Sequence, residues 1–252
     1  MMRKRSLILL SLLLTAPTLH AQDTGMPAWQ VTLESGPAWY SRNDIQIPND
    51  DGGDRFDLTR LTGSGPDPYL RLALEYRWSA RHAITALYAP LRSNGSGVLE
   101  HDVRFAGEAF NGGESLEGNY KFNTYRLGYR YTFRETQRWR FRAGGTLLVR
   151  DANVRLTQSG IVADDPDLGL VPLLGFDATR YLGDRWSVEL DVEGLGAPQG
   201  RAIDAALALQ YRWKDTLTTR LGYRMLEGGA DNDSVFTFAW VHYALLGLRY
   251  EF

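Results

Sequence analysis

The chain has 252 residues, 28 basic against 30 acidic side chains, and no cysteine. That balance speaks against a nucleic-acid binder, and the missing thiols exclude a disulfide scaffold or a lipoprotein. A hydrophobic content of 44% and a mean hydropathy of −0.31 would suit a soluble protein, yet a membrane β-strand averages to similar values because only alternate residues meet lipid.

In chain order the first element is a leader. Arg3, Lys4 and Arg5 precede an apolar run from Leu7 to Leu14, which is far shorter than the ~20 residues a spanning helix needs. Leu19-His20-Ala21 then offers a cleavage site. Residues 1–21 are expected to be a signal peptide and residues 22–252 the mature domain. Cleavage would take three of the 28 basic residues and none of the 30 acidic ones, giving a formal charge of −5.

The mature sequence reads with a period of two. From Tyr69 to Trp78, Leu70, Leu72, Leu74, Tyr76 and Trp78 share one face, while Arg71, Ala73, Glu75 and Arg77 share the other. Trp186 to Glu193 and Ile203 to Trp213 repeat the pattern. Seven further strands are expected near Trp29 to Ile45, His82 to Arg92, Asn119 to Phe133, Trp139 to Leu156, Leu170 to Tyr181, Leu217 to Leu226 and Val235 to Phe252. Most reach the ~9–11 residues a tilted strand needs to cross a bilayer. The fold class is therefore all-β, an antiparallel transmembrane β-barrel of about ten strands, with eight as the alternative count.

Connection length alternates. Ser79 to Arg81, Arg134 to Arg138, Leu182 to Arg185 and Lys214 to Thr216 read as tight turns. Pro48 to Pro68, Ser93 to Gly118, Thr157 to Gly169 and Glu227 to Ser234 read as longer loops rich in Gly, Asp and Asn, and Gly196 to Arg201 as a short one. Short turns belong to the periplasm and long loops to the outside. Five of the seven tryptophans, Trp29, Trp78, Trp139, Trp186 and Trp213, fall at strand ends on the short-turn side, as an interfacial girdle would. A soluble β-sandwich would not gather its rings at one level of so many strands.

The last residues, Leu246-Gly247-Leu248-Arg249-Tyr250-Glu251-Phe252, resemble the C-terminal assembly signal of the small outer-membrane β-barrels of Gram-negative bacteria, with Leu248, Tyr250 and Phe252 at alternate positions. More narrowly, Tyr223 to Asp233 and Tyr69 to Leu91 resemble an uncharacterised proteobacterial group of about ten strands. The resemblance implies export through the periplasm after signal cleavage and insertion into the outer membrane by the barrel assembly machinery. It carries no activity and no functional residue.

The face opposite the apolar one should point into the lumen. It brings together Arg71, Glu75, Arg77, Arg126, Arg130, Arg142, Glu189, Asp191, Glu193, Asp204, Arg212, Arg220, Arg224 and Arg249, with Glu34 and Arg140 beside them. In so narrow a barrel these long side chains should meet and pair, giving a charged, plugged lumen; a narrow anion-leaning channel is the alternative. Carboxylates also gather at the rim, at Asp50, Asp51 and Asp54, at Asp164, Asp165 and Asp167, and at Glu227, Asp231 and Asp233. None has the spacing of a calcium loop, and ordinary turns account for them.

An outer-membrane enzyme acting on lipid A or peptides would need a histidine near the rim. His101 beside Asp102 is the candidate pair; His82 is expected at a periplasmic turn, and His242 shares the lipid-facing parity of Trp240. The expectation is a non-enzymatic, monomeric barrel with a structural or surface-interaction role. No cofactor, metal or nucleic acid is expected, and its partners would be outer-membrane lipid, lipopolysaccharide and the assembly machinery.

Overall fold

The computed structural model describes residues 29–252, so the leader read over residues 1–21 lies outside the described residues. The strands, in chain order, are β1 (Trp29–Gln46), β2 (Phe56–Asp57), β3 (Asp67–Arg77), β4 (His82–Ala89), β5 (Arg92–Val98), β6 (Val103–Phe105), β7 (Glu108–Phe110), β8 (Ser115–Glu135), β9 (Trp139–Gln158), β10 (Ile161–Tyr181), β11 (Trp186–Ala197), β12 (Gly200–Lys214), β13 (Leu217–Asp231) and β14 (Phe236–Glu251). One helical turn, α1 (Thr59–Thr62), lies between β2 and β3. β4 and β5 occupy one position against β8, β2 is a short addition to β1, and β6 and β7 form a separate hairpin. The remaining ladder closes where β14 pairs with β1 from Gln30↔Glu251 to Gln46↔Phe236, making a ten-strand antiparallel barrel.

Alternation decides which face points where. On β3, Leu70 and Leu72 are 43% and 46% exposed, whereas Arg71 and Glu75 between and beside them are buried. Leucines outside and charges inside reverse the order of a water-soluble protein, and such an outer surface is stable only against hydrocarbon. Trp78, Phe133, Trp186, Trp213, Tyr250 and Phe252 project from the end that carries the short turns. Neighbouring rings there touch, as in Trp29–Tyr76 at 4.5 Å and Trp186–Tyr211 at 4.7 Å between centroids. The first and last described residues meet at the same end, where the Trp29 N–H donates to the Phe252 carbonyl at 3.0 Å.

The far end differs from the sequence expectation. The stretch from Thr157 to Gly169 is strand rather than loop: β9 and β10 stay in register to Ile161↔Gln158. They turn at Ser159 and Gly160, whose φ angles of 51° and 91° suit a two-residue hairpin turn. Its aspartates read as turn formers, but Asp164 sits across from Arg155, bonded at 2.8 Å, so cross-strand charge pairing holds the ribbon. Likewise β5 fills the start of the Ser93 to Gly118 stretch, β13 runs on to Asp231, and β11 and β12 are joined by Pro198 and Gln199 alone.

The mouth contains a conventional apolar core. Phe105, Phe110, Leu58 and Leu61 from the first two connections pack with inward wall residues Tyr40, Ile45, Tyr69, Tyr120, Val241 and Tyr243. The Ser-Asn-Gly-Ser-Gly run of β5 makes room for α1: a Cβ on Gly97 would lie 2.2 Å from the Arg60 carbonyl oxygen, and one on Gly95 2.5 Å from that of Leu61. The sequence reading assigned the whole inner face to charge. The upper part is instead apolar, because here the connecting segments fold inward and cover it.

Candidate functional site

Below the mouth, seven arginines meet seven carboxylates across the lumen. They project from every strand position except that of β4, because each lies on the inward parity of its strand. Glu34 of β1 accepts from Arg224 Nε at 2.9 Å and Arg220 Nη1 at 3.2 Å, with Arg71 Nε 3.8 Å away. Asp204 of β12 lies 2.7 Å from Arg126 Nη2 and 3.2 Å from Arg71 Nη1, and it accepts from Arg224. Glu193 of β11 holds Arg126 at 2.6 Å and also pairs with Arg130. Glu189 holds Arg220 at 2.6 Å and Arg249 at 3.0 Å. Glu75 takes Arg142 at 2.9 Å, and Asp191 stands at the margin, 3.7 Å from Arg224.

Nearly all these groups are buried, so each charge is stabilised only by its partners. A carboxylate shared by two or three guanidiniums offsets the loss of water, whereas a lone charge there would be strongly destabilising. Arg77 bridges to Glu251 at 3.2 Å and so ties the network to the last strand.

Not every residue expected in this network belongs to it. Arg212 is exposed at the short-turn end, two residues before the end of β12, where its guanidinium donates to the Asp184 carbonyl. Arg140 makes no ion pair among the described residues. Asp177 was missed: it receives Arg130 Nε at 3.0 Å and Arg142 Nη2 at 3.4 Å. Its inward parity was legible from Phe176 and Ala178 on either side, but Pro172 and adjacent Leu173 and Leu174 blur the alternation. Thr146 also donates to Glu193, at 2.5 Å.

The upper layer of the network, where Arg126 meets Asp204, separates two cavities. Above it the mouth holds one of about 380 Å³, lined by Leu148, Val171, Leu173, Ile203, Leu226 and other mainly apolar residues, with Arg126 and Asp204 at its floor. Below it, inside the network, lies a polar cavity of about 120 Å³ lined by Glu34, Arg71, Arg126, Glu189 and Arg224 among others. Arg126 borders both.

Among the described residues the histidines, His82, His101 and His242, stand away from these cavities. His82 Nδ1 lies 2.7 Å from the Tyr129 hydroxyl on the outer face, and His242 bridges Tyr223 and Ser41 there. Asp102 accepts the Gly112 N–H at 2.8 Å, a loop-closing bond, and His101 is exposed beside it. Four of the nine rim carboxylates are arginine-paired: Asp54 with Arg104 and Asp164 with Arg155, each at 2.8 Å, Asp167 with Arg150, and Glu227 with Arg201. Hydrogen bonds from Arg104 hold the Asp54 carboxyl down at about 2. No group of three or more His, Cys, Asp or Glu side chains fit for a metal occurs among the described residues. Leu248, Tyr250 and Phe252 project outward at the end of β14, with the last two rings stacked at 5.9 Å.

Among solved structures, the outer-membrane protease OmpT of Escherichia coli superposes with a TM-score of 0.53 at 9% identity, over 89% of this chain and 96% of that one. The chain has the fold of the Gram-negative outer-membrane β-barrels. Ail, the attachment invasion locus protein of Yersinia pestis, matches with a TM-score of 0.41 at 10% identity, over 89% of this barrel and 99% of its own chain. No protein-family model matches the sequence, and no curated protein matches it. At such identities the likeness is one of fold.

Proposed function

We propose that the barrel sits in an outer membrane, that its lumen is closed midway by the arginine–carboxylate network, and that it acts at the cell surface as a structural or interaction protein. The single observation that carries this reading is the layer formed by Glu34, Arg71, Arg126, Asp204 and Arg224, which stands between the two cavities. A hydrated ion crossing it must part buried pairs whose members are strongly destabilised when left alone. With the lumen closed, the accessible surface is the mouth, its first two connections and the protruding β9–β10 ribbon. Export would follow cleavage of residues 1–21. Insertion by the assembly machinery would use Leu248, Tyr250 and Phe252, and the working unit would be a monomer bathed in lipid and lipopolysaccharide.

The 120 Å³ polar cavity within the network favours a second reading, a narrow anion-leaning channel that opens when one guanidinium swings aside.

Cells producing the wild type and a variant lacking residues 99–114 test the first reading. The protein should fractionate with the outer membrane in both. Adhesion or aggregation of intact cells should fall only in the variant, while passage of a small chromogenic substrate to a periplasmic enzyme stays unchanged. Faster passage with the wild type than with an empty strain would replace this reading by the channel.

A further inference from the structure

The mouth cavity does not end at the barrel wall. Leu170 and Pro172 share the parity of Leu174 and Phe176, which face outward, yet they line the same cavity as inward-facing Leu173 and Leu195. The ladder explains this. β10 and β11 pair only from Leu174↔Gly194 downward, although β11 stays paired with β12 up to Ala197↔Gly200. Pro172 has no N–H with which to extend the ladder. On β11 the outward positions at this height are Gly194 and Gly196, which bring no side chain to fill the gap; a Cβ on Gly196 would meet nothing nearer than Arg201 Cβ at 4.0 Å. The wall therefore has a notch between β10 and β11, and through it the apolar cavity is continuous with the apolar outer surface.

We propose that an acyl chain of an outer-leaflet lipid passes through this notch and lies in the mouth cavity, above the floor set by Arg126 and Asp204. The volume of about 380 Å³ falls in the ~300–1,000 Å³ range of sites that enclose small molecules. Polar side chains such as Asn153, Asp165 and Glu227 line part of it, but beside the notch Leu148, Val171, Leu173 and Leu195 offer water no side-chain partner. A hydrocarbon chain already beside Leu170 and Leu174 exchanges one apolar environment for another and loses no hydrogen bonds. The inference rests on the membrane placement proposed above.

The chain has no cysteine, so single-cysteine variants give clean reporters. Leu173→Cys and Leu148→Cys place a bimane label in the cavity, and Leu174→Cys places one on the lipid-facing side. Each is labelled unfolded, refolded into phosphatidylcholine vesicles, and titrated with phosphatidylcholine bearing a nitroxide on its acyl chain. Both cavity labels should be quenched, and adding Gly196→Leu to fill the notch should abolish that quenching while the Leu174→Cys label stays quenched. Unquenched cavity labels beside a quenched Leu174→Cys label would overturn the proposal. So would cavity quenching that persists in the Gly196→Leu background. An unquenched Leu174→Cys label would instead overturn the membrane placement itself.

Discussion

The lower lumen and the mouth of this barrel are filled with opposite chemistry. In the lower lumen the filling is ionic and drawn from almost the whole circumference, so that Asp204 alone touches arginines of β3, β8 and β13. In the mouth it is apolar and one-sided: the first two connections fold against β1, β3, β5, β8, β9 and β14, while the space beside β10 to β13 stays open. A shared ionic network couples distant strands, so one deletion should be felt by the whole wall. An apolar core made of connecting segments is local, and its loss should leave the barrel standing.

The largest effect should come from Asp204→Ala. It removes one carboxylate partner from each of Arg71, Arg126 and Arg224 in a buried layer and should destabilise the barrel by roughly 3–5 kcal/mol, read as a lower urea midpoint for unfolding from vesicles. Phe105→Ala empties a fully buried ring from the mouth core. Its cost of about 3–5 kcal/mol should appear as protease cleavage between residues 99 and 114, with the midpoint of the barrel unchanged. If Phe105→Ala lowered that midpoint as much as Asp204→Ala does, the two regions would be one cooperative unit and the contrast would fail.

Gly175→Leu probes how the ionic filling is packed. A Cβ at Gly175 would lie 2.6 Å from Arg130 Cζ, so the larger side chain should push Arg130 off Asp177 and Glu193 and destabilise by about 1–3 kcal/mol. Gly175→Ala should fall between the wild type and Gly175→Leu in the same urea titration.

The smallest effect concerns pH at the surface. Asp54 titrates at about 2 when bonded to Arg104, below the ~3.9 of a free aspartate. A depressed folded value means that the pair stabilises the docked first connection above about pH 4 and ceases to as pH falls through 2. Because the pair is exposed, the change should be slight. Exchange of the Arg104 amide, which donates to Asp54 at 2.9 Å, corrected for intrinsic rate, should quicken across that window. Asp54→Asn should flatten the profile.

The barrel was legible because alternation over Tyr69 to Trp78 and Ile203 to Trp213 is a direct image of a wall with lipid on one side. The same rule places Glu34, Arg71 and Arg224 inside. It could not find the mouth core, since Leu58, Leu61, Phe105 and Phe110 lie in connections without a period, and their burial depends on how those connections fold back. It also misread the β9–β10 ribbon, where Asp164 and Asp167 look like turn residues until the arginines opposite them are known. Arg212 has the inward parity but sits too low. Parity fixes the face of a strand and leaves the height to register.

The central claim is that the ionic layer closes the lumen, and single-channel recording in a planar bilayer tests it most directly. The wild type should be silent after folding is verified by heat-modifiable gel mobility. Arg126→Ala combined with Arg224→Ala should give discrete conductance steps, because both guanidiniums leave the layer between the cavities. Discrete steps of the same size from the wild type would contradict the account.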